Sequence, residues 1–441
     1  MEEEKKQKIR IARERRYFTL LPALLEGVFR KNIPLDRFLT DFFRANSNCG
    51  SRDRREISGF FYTLFRNWGI IRKLHNLPDL RENFFTDEKL TAVLLVTVSL
   101  LMEEAELPLL SCEKLGLSQE FAQELLQEKN REKRLEKWSL FTGKAPYIFK
   151  EEDLKPQWMK EFLPFPEEKK FDLLPQQRAR SYCRLRFLSD KESVEKEFAS
   201  LGKKLFFHPA IPHAFYWEGE GESRLAYGNM KSYKRGAFEV QDLSSQLIAL
   251  AALTPRGVEN GTILDYCCGA GGKTLLLASR LGEKGKIFYH DIRKEILAEV
   301  EKRLKRGAFH NAFPWEKGKE NSFDLVLADA PCSSSGRIKH SPELWWLLSP
   351  EKVKSYGKIQ LEILEEASKY VKKGGFLCYG TCSLFSLENE SLAETFLSRN
   401  PDFSPVELTS PLTGEKAPFL RVLPWDGECD GSFTVLFQKN R

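Results

Sequence analysis

A change in hydrophobic pattern near residue 241 constrains the fold of this chain more than any other feature. From there onward, short apolar runs alternate with longer segments in which apolar residues recur at three- and four-residue steps. This alternation predicts a parallel β-sheet wrapped by helices. Strands are predicted at residues 262–266, 286–290, 323–328 and 375–380, helices at 273–281, 294–306 and 351–371, and a late antiparallel strand, at the edge of a hairpin, at 433–437.

The preceding 240 residues show two further patterns. Residues 1–140 are poor in glycine and show no β-alternation, and their apolar residues follow helical spacing, which predicts an all-α bundle. Residues 145–240 carry short β-like runs around one helical segment, which predicts a small α+β connector or binding module. The helical patterns lie at 17–29, 35–43, 57–74 and 90–102, and the connector has β-like runs at 184–188, 205–208 and 215–217 with a helix at 191–201. The predicted domains are 1–140, 145–240 and 241–441.

Composition agrees with a folded protein of two or three domains. The chain has 441 residues, 41% of them hydrophobic, including 33 Phe. Sixty-nine basic against 63 acidic side chains give a net charge of +6, and this mild excess favours an anionic partner only weakly. The N-terminus lacks an apolar signal region, and the longest apolar stretch, 90–102, is too short to span a bilayer. We expect a cytoplasmic protein that has no membrane partner.

The nine cysteines are expected to be reduced. Their number is odd and none forms a CxxC pair, so the sequence shows neither a complete disulfide framework nor a cluster with zinc spacing. We therefore expect no metal site. Most of these thiols are interpreted as small buried side chains.

The tract ILDYCCGAGGKT, residues 263–274, predicts a nucleoside-binding turn. An apolar strand leads into Gly269, Gly271 and Gly272, and a helix is expected from Lys273. Glycines let a ligand approach the backbone closely, and the first turn of a helix has unpaired N–H groups. Asp291, at the end of the next predicted strand, could accept hydrogen bonds from ribose hydroxyls. The tract lacks a phosphate loop, so an adenosyl–amino acid cofactor fits, whereas a purely structural turn would not need Asp291.

Two further tracts place cysteines after predicted strands. FDLVLADAPCSSSG carries Asp329 and Cys332, and GFLCYGTCS carries Cys382. Because active sites of open α/β sheets lie beyond the carboxyl ends of the strands, these side chains are expected at one edge of the sheet, beside the glycine turn. Cys378 lies inside a strand, and Cys267 and Cys268 line the turn, so for these three a packing role suffices.

Two cysteines with an acid suit methylation of carbon 5 of a cytosine. This carbon is too weak a nucleophile to take a methyl group directly. A thiolate that adds to carbon 6 makes carbon 5 enamine-like, so that it can attack a methyl sulfonium. An acid near ring nitrogen 3 assists the addition, and a base must later remove the hydrogen at carbon 5.

These tracts resemble the Sun-type family of RNA (cytosine-5) methyltransferases. The resemblance rests on several motifs in family order, and the segment SRDRREISGFFYTLFRNWGII, residues 51–71, resembles the NusB-like RNA-binding bundle of a bacterial branch that acts on small-subunit rRNA. The motifs are QDLSSQL (241–247), DYCCGAGGKT, DAPCSSSG, RIKHSPELWW (337–346), and YGTCS followed by ENE (388–390).

The resemblance implies a Rossmann-like, S-adenosylmethionine-dependent methyltransferase domain behind an all-α NusB-like bundle. It implies that Cys382 is the nucleophile, that Cys332 is needed for product release, and that Asp329 is the acid between cofactor and cytosine. The implied partner is RNA, with small-subunit rRNA first, and the protein is expected to be a monomer. The implied cofactor contacts are Cys267, Cys268, Gly269, Ala270, Gly271, Gly272, Lys273, Asp291 and Asp329.

The sequence departs from the family pattern at three places. Gly269 and Ala270 stand where the family usually has Ala-Pro, and Ser432 stands where a second Phe is usual. A family Asp that contacts adenine should lie between Asp291 and Asp329, but residues 304–323 contain none. Asn311 or a backbone group is the expected substitute.

Other functions remain open on the sequence alone. The same catalytic domain could act on tRNA, since it does not encode which RNA is bound. A non-catalytic RNA-binding assembly factor is disfavoured by the intact cysteines and Asp329, and a small-molecule or protein methyltransferase would need neither paired cysteines nor an RNA-binding bundle. Arg52, Arg54 and Arg55 are the better candidates for phosphate contacts. The basic run from Lys5 to Arg16 is diluted by four glutamates and fits a solvated helix face equally well.

Overall fold

The computed structural model describes residues 2–77, 87–102, 106–148, 150–164, 169–177, 180–218, 225–316 and 318–440. The chain forms two compact units. The first comprises residues 1–160, 167–177 and 341–347, and the second comprises 161–166, 178–340 and 348–441. The division into three domains stays a prediction. Within the described ranges, no helix is both long and apolar enough to cross a membrane.

The first unit is helical, as predicted for the N-terminal part of the chain. An apolar core joins the helices between residues 2 and 141, and fully buried aromatic side chains such as Phe61, Phe65, Trp68 and Trp138 lie inside it. Its helices are α1 (Glu2–Phe29), α2 (Leu35–Ala45), α3 (Ser51–Arg66), α4 (Trp68–His75), α5 (Glu88–Leu101), α6 (Leu109–Lys114), α7 (Gln119–Gln127), α8 (Arg131–Phe141) and α9 (Lys169–Leu173).

One predicted helix, 57–74, proves to be two. Asn67 leaves the helical conformation, with φ −113° and ψ 13°, and separates α3 from α4. Its side-chain amide donates to the carbonyl of Thr63 at 2.8 Å, and its carbonyl oxygen accepts from Gln176 Nε2 at 3.1 Å. The buried amide therefore satisfies the backbone groups that the break exposes, which hydrophobic spacing alone could not reveal.

The second unit begins with a small antiparallel sheet. Its strand order is β2-β3-β1-β4, and α10 covers one face through Val194 and Phe198, which pack on Phe215 and Phe238. This agrees with the α+β character predicted for the connector. The elements are β1 (Cys183–Leu185), α10 (Lys191–Ser200), β2 (Lys204–His208), β3 (Ile211–Glu218), α11 (Lys231–Lys234) and β4 (Phe238–Val240).

The remainder of this unit is built on a large mixed sheet of order β10-β14-β9-β8-β5-β6-β7, in which β13 pairs with β14. Strands β5 to β9 run parallel, and β14 is antiparallel to β9. The elements are α12 (Leu243–Ala252), β5 (Thr262–Asp265), α13 (Gly272–Ala278), β6 (Lys286–Tyr289), α14 (Lys294–Arg306), β7 (Ala312–Pro314), β8 (Phe323–Asp329), α15 (Leu344–Leu347, which belongs to the first unit), α16 (Pro350–Ser368), β9 (Val371–Thr381), α17 (Glu390–Arg399), β10 (Phe403–Pro405), β11 (Leu408–Thr409), β12 (Lys416–Ala417), β13 (Phe419–Val422) and β14 (Ser432–Lys439).

Helices cover both faces of the large sheet because successive strand residues point to opposite sides. Ile263 and Leu325 pack with Leu276 of α13 on one face. Leu264 and Val326 pack with α16 and α17 on the other. Apolar strands buried on both faces are typical of doubly wound sheets, and the predicted Rossmann-like fold is confirmed.

The late strand is antiparallel as predicted, but its predicted edge position is wrong. β14 lies between β9 on one side and β10 and β13 on the other. Residues 432–437 are all buried, and burial on both faces is typical of an interior strand. Its neighbours β10 and β13 are only three and four residues long, so they gave no clear signal in the sequence.

Candidate active site

The predicted site residues converge at the point where the strand order reverses. β5 pairs with β6 on one side and with β8 on the other, and β8 pairs with β9. Asp265, Asp329 and Thr381 end β5, β8 and β9, so the glycine turn and both cysteine loops leave the same edge of the sheet. Ligands of open α/β sheets bind at such a reversal, beyond the carboxyl ends of the strands.

The glycine turn needs its glycines for different reasons. Gly269 and Gly271 have φ of +52° and +81°, a region that residues with a side chain rarely adopt. A Cβ on Gly271 would also lie 2.9 Å from Val300 Cγ1, whereas the nearest atom to a Cβ on Gly269 is Arg293 Nη2 at 4.0 Å. Packing of α14 against the turn therefore requires Gly271, and the backbone conformation requires Gly269.

Asp291 is buried and all its acceptor positions are engaged. Oδ2 accepts from the Gly269 N–H at 2.9 Å and from Arg293 Nη2 at 3.1 Å. Oδ1 accepts from the N–H and Nε of Arg293, both at 2.9 Å. Burial raises the pKa of Asp291, but these hydrogen bonds outweigh it and hold the pKa below its usual value. The carboxylate thus fixes the turn and stays charged, and the Arg293 side chain occupies its outer face.

Lys273 connects the turn to the end of β8. Its Nζ lies 2.5 Å from Asp329 Oδ2 and 3.0 Å from the hydroxyl of Ser245. Burial lowers the pKa of Lys273, but the opposite charge of Asp329 outweighs it and raises the pKa above the usual value. The two predicted site residues therefore form an ion pair.

Asp265 is a buried carboxylate that the sequence analysis did not select. Its Oδ2 accepts from the Thr274 hydroxyl at 2.6 Å, while Oδ1 has no hydrogen-bond partner among the described residues. Burial raises the pKa of Asp265 to about 7, although the bond from Thr274 lowers it. An unpartnered acceptor here is a candidate ligand contact.

The sulfurs of Cys332 and Cys382 are 3.4 Å apart. Cys382 Sγ also contacts the Ser334 hydroxyl at 3.7 Å. The bond from Cys332 lowers the pKa of Cys382 despite burial and the charge of Asp329, and Arg337 lowers it further. The same bond, together with burial, raises the pKa of Cys332. The pair therefore favours a thiolate on Cys382 and a thiol on Cys332.

The cysteines assigned a packing role have the opposite character. Burial raises the pKa of Cys267, Cys268 and Cys378. Cys378 is fully buried within β9. These thiols stay protonated and are poor nucleophiles.

The structure also shows where sequence reasoning fell short. Asn311 precedes β7, at the amino end of the strands, and its amide donates to the carbonyl of Ala278 at 3.0 Å. Since the cofactor edge is the opposite one, Asn311 is wrong as a substitute for the missing adenine contact. The sequence also gave no role to Ser245 and Glu388, although they lie within the family motifs QDLSSQL and ENE. Arg293 was missed as well, and its position near Asp291 was the one available signal.

A third cluster joins Asp242, His340 and Asp430, whose ligand atoms lie within 4.8 Å of one another. His340 Nδ1 contacts Asp430 Oδ1 at 2.8 Å, and Arg337 Nε lies 3.7 Å from Asp430 Oδ2. Asp242 Oδ1 already accepts from the N–H of Ser244 at 2.9 Å and from its hydroxyl at 2.7 Å. Neighbouring donors thus engage Asp430 and Asp242 Oδ1, whereas Asp242 Oδ2 has no hydrogen-bond partner among the described residues.

Part of the basic run near the N-terminus forms ion pairs within the protein. Arg13 pairs with Glu56 and Arg10 pairs with Glu106. Arg52 also pairs with Glu56, and Arg54 donates to the carbonyl of Cys49, but Arg52, Arg54 and Arg55 are all exposed at the start of α3. The side chains of Lys5 and Lys6 lie outside the described residues. The triplet on α3 therefore stays the stronger candidate for phosphate contacts.

Comparison with known proteins identifies the catalytic part of the chain. Residues 250–438 match the model of the 16S rRNA methyltransferase RsmB/F family. A probable ribosomal RNA small subunit methyltransferase B of Bacillus subtilis is 33% identical over 221 residues, which are 47% of this chain and 49% of that protein. Ribosomal RNA small subunit methyltransferase B of Erwinia tasmaniensis is 32% identical over 239 residues, 53% of each chain. The match thus spans about half the length of these curated relatives.

Solved structures share the fold. The crystal structure of PH0851 has a TM-score of 0.73 and 23% identity, and the alignment covers 96% of this chain and 99% of that one. NSun6 from Pyrococcus horikoshii has a TM-score of 0.54 and 20% identity over 65% of this chain and 98% of that one. The predicted relationship to the Sun-type family is confirmed by these findings together. Residues 250–438 are therefore similar to the methyltransferase domain of the RsmB/F family.

Proposed function

We propose that this protein transfers a methyl group from S-adenosylmethionine to carbon 5 of a cytosine in small-subunit rRNA. The observation that carries the proposal is the 3.4 Å contact between the sulfurs of Cys332 and Cys382 at the reversal point of the sheet. A thiolate beside a thiol supplies a nucleophile and a second proton-transfer group within one site. A non-catalytic RNA-binding factor would have no use for this arrangement.

The residues around the glycine turn fit S-adenosylmethionine. The turn leaves open space at Gly269. Asp291 offers a charged acceptor for ribose hydroxyls once the Arg293 side chain moves away, and the unpartnered Asp265 Oδ1 offers one for an ammonium group. Bound there, the cofactor would supply the electrophilic methyl group. The cofactor contacts predicted from the sequence, Cys267 to Lys273 with Asp291 and Asp329, are retained in this proposal.

Cys382 begins the proposed reaction. Its thiolate forms a bond to carbon 6 of the cytosine, and the displaced electron pair is taken up as ring nitrogen 3 gains a proton. Asp329 is the group proposed at this nitrogen. Because Lys273 Nζ lies 2.5 Å from Asp329 Oδ2, the Asp329 carboxylate can pass a proton from the Lys273 ammonium to ring nitrogen 3, which leaves Lys273 neutral.

Cys332 acts after methyl transfer. It accepts the proton from carbon 5. The electron pair of the carbon–hydrogen bond then expels the Cys382 sulfur from carbon 6. Cys332 is a thiol at rest because the neighbouring thiolate raises its pKa. Once Cys382 has become a thioether, that charge is gone, and Cys332 loses its proton more readily. The contact thus ties the availability of the base to formation of the covalent intermediate.

The RNA partner is inferred from two features. The relatives named above are small-subunit rRNA methyltransferases. Separately, the small sheet of residues 183–240 carries a half-buried aromatic pair, Phe206 and Tyr216, whose rings stack with centroids 5.2 Å apart. Arg180 lies 3.9 Å from the Tyr216 ring and Lys204 lies 5.1 Å from Phe206. Aromatic rings with adjacent cations suit stacking of unpaired bases.

Trapping of a covalent complex tests the proposed division of labour. Cys332→Ala should add to carbon 6 and transfer methyl but fail to release, so it should accumulate a protein–RNA adduct that survives a denaturing gel. Cys382→Ala should give neither methylation nor adduct. Cys378→Ala, a buried cysteine on the same strand, serves as the control and should keep activity.

Other results would contradict the proposal. Adducts from Cys382→Ala but not from Cys332→Ala would reverse the two roles. If neither variant trapped 16S rRNA in the presence of cofactor, the covalent mechanism would be rejected. Bisulfite sequencing of RNA from cells with and without the protein identifies the methylated cytosine, and an unchanged small-subunit rRNA would reject the proposed substrate.

A further inference from the structure

Glu388 lies between the loops that carry the two cysteines. Its side chain is fully buried. Oε1 accepts hydrogen bonds from the Ser333 N–H at 2.8 Å and from Gln360 Nε2 at 2.9 Å. Oε2 accepts from the hydroxyls of Ser333 and Ser383, each at 2.5 Å. Ser333 follows Cys332 and Ser383 follows Cys382, so one carboxylate holds both loops.

The neighbouring Asn389 adds two hydrogen bonds to the loop that carries Cys382. Its Oδ1 accepts from the Thr381 hydroxyl at 2.7 Å, and its amide donates to the Ser383 carbonyl at 3.0 Å. Gln360 also donates to the carbonyl of Pro331 at 3.0 Å. These bonds fix the backbone on both sides of the sulfur contact, so the position of the Glu388 charge relative to each sulfur is fixed as well.

The charges around the sulfurs are distributed unevenly. The negative charge of Glu388 acts on Cys332 and raises its pKa, after the larger effects of the Cys382 contact and burial. Arg337 acts on Cys382, and so does Asp329, which Lys273 pairs. Tyr356 and Tyr379 also face the pair, and burial raises the pKa of both, so they are neutral. The carboxylate that acts on Cys332 is thus held by neutral donors and keeps its full charge, whereas the carboxylate that acts on Cys382 is paired with Lys273.

We propose that Glu388 decides which sulfur carries the single proton that the pair shares, by holding it on Cys332 and leaving Cys382 as the thiolate. Glu388 is a positioning residue, since it acts through Cys332 and its four hydrogen bonds come from protein donors. The inference rests on the proposed function only in taking Cys382 as the nucleophile. Without the charge, the two sulfurs would compete for the proton, and a fraction of the molecules would carry the thiolate on the wrong cysteine.

Glu388→Gln isolates the charge from the hydrogen bonds. The amide oxygen can take the place of Oε1 and accept from Ser333 N–H and Gln360, while the amide nitrogen can donate to the two serine hydroxyls, which also accept. The fold should therefore persist. The measurement is the rate at which iodoacetamide alkylates each cysteine across pH, read by mass spectrometry of the peptides, because only the thiolate reacts.

In the unaltered protein, Cys382 should be alkylated well before Cys332 at neutral pH. Glu388→Gln should raise the Cys332-to-Cys382 ratio about tenfold, the change that corresponds to one pKa unit. Glu388→Asp, which keeps the charge, should leave the ratio near its original value. Glu390→Gln is the matched control, because Glu390 lies in the same tract but accepts from Arg421 Nε at 3.0 Å, and it should not change the ratio.

An unchanged ratio in folded Glu388→Gln would overturn the proposal. Should that variant not fold, Glu388→Ala, which also removes the charge, takes its place in the same measurement, and an unchanged ratio there would overturn the proposal. Alkylation uses neither RNA nor cofactor, so a failure of RNA methylation with the expected ratio would reject the proposed function alone.

Discussion

Lys273 Nζ and Asp329 Oδ2 lie 2.5 Å apart, at the point where the glycine turn meets the end of β8. Lys273 follows the glycine turn in the first turn of α13, and Asp329 is the proposed acid at the cytosine ring. Side-chain exposure is only 10% for Lys273 and 28% for Asp329. A partly desolvated pair of this kind couples the methyl-donor site to the base site.

The first prediction concerns this ion pair. Lys273→Met should lower the free energy of unfolding by roughly 3 kcal/mol, because it leaves the Asp329 carboxylate without its partner. Lys273→Met combined with Asp329→Asn should recover much of that loss. Chemical denaturation at pH 7 measures both. Equal stability of the single variant and the unaltered protein would contradict the prediction.

The pH dependence of this pair has a definite sign. The folded pKa of Lys273 lies above its ordinary value of 10.5, so its contribution is complete below that pH and is lost only as the pH rises through the higher folded value. The difference between the unaltered protein and Lys273→Met should therefore stay constant from pH 7 to 9. Lys196→Met, in an exposed pair with Glu192, is the control and should leave stability unchanged.

The second prediction concerns access to Asp291. Asp291→Ala should weaken binding of S-adenosylmethionine strongly, since the ribose loses its charged acceptor. Arg293→Ala should instead tighten binding several-fold, because the Arg293 guanidinium now occupies acceptor positions that the ribose hydroxyls need. Calorimetry with the purified protein distinguishes these effects. Lys294→Ala removes an exposed charge next in sequence and should have no effect, and weaker binding by Arg293→Ala would show that the arginine assists the cofactor.

The Asp291 site also shows how far sequence reasoning reaches. Asp291, Asp329, Cys332 and Cys382 could be predicted because each follows a strand, and strand periodicity is written in the local sequence. Glu388 could not be assigned a role, since its partners Gln360 and Ser333 lie 28 and 55 residues away and meet only when α16 packs on the sheet. The interior position of β14 depended likewise on two short partner strands with little pattern of their own.

The third prediction concerns the aromatic pair on the small sheet. Tyr216→Ala and Phe206→Ala should each reduce RNA affinity about tenfold, because stacking of one base contributes roughly 1–3 kcal/mol. S-adenosylmethionine affinity should stay unchanged. Filter binding with a 16S rRNA fragment, repeated at several salt concentrations, measures the loss.

The control for this surface is Phe313→Ala. Phe313 is 39% exposed on β7, at the far edge of the large sheet, and its loss should not affect RNA binding. A comparable loss of RNA affinity in Tyr216→Ala, Phe206→Ala and Phe313→Ala would indicate general destabilisation. Removal of the three arginines Arg52, Arg54 and Arg55 should reduce the salt dependence as well as the affinity, since phosphate contacts release counterions.

The fourth prediction is a pH dependence centred on Asp242. Burial and the like charge of Asp430 raise the pKa of Asp242 from 3.8 to about 6, and its Oδ2 has no hydrogen-bond partner in the described part of the chain. A folded pKa above the unfolded one means that the native state binds the proton more tightly. The resulting stabilisation is complete below pH 3.8 and is lost as the pH rises through about 6. Hydrogen bonding to Asp430 outweighs burial and raises the pKa of His340 as well, so both groups favour the folded state at the acidic end.

Asp242→Asn should remove most of this dependence, because the amide resembles the protonated acid. At pH 5, between the two pKa values, part of the stabilisation is already lost, so the variant should melt slightly above the unaltered protein. At pH 8 the buried carboxylate costs up to about 3 kcal/mol, so the variant should melt several degrees higher. Asp402→Asn, at an exposed position after α17, should show no difference at either pH. A variant that is less stable at pH 8 than at pH 5, relative to the unaltered protein, would mean that the charged carboxylate is needed there and that His340 and Arg337 more than offset its burial.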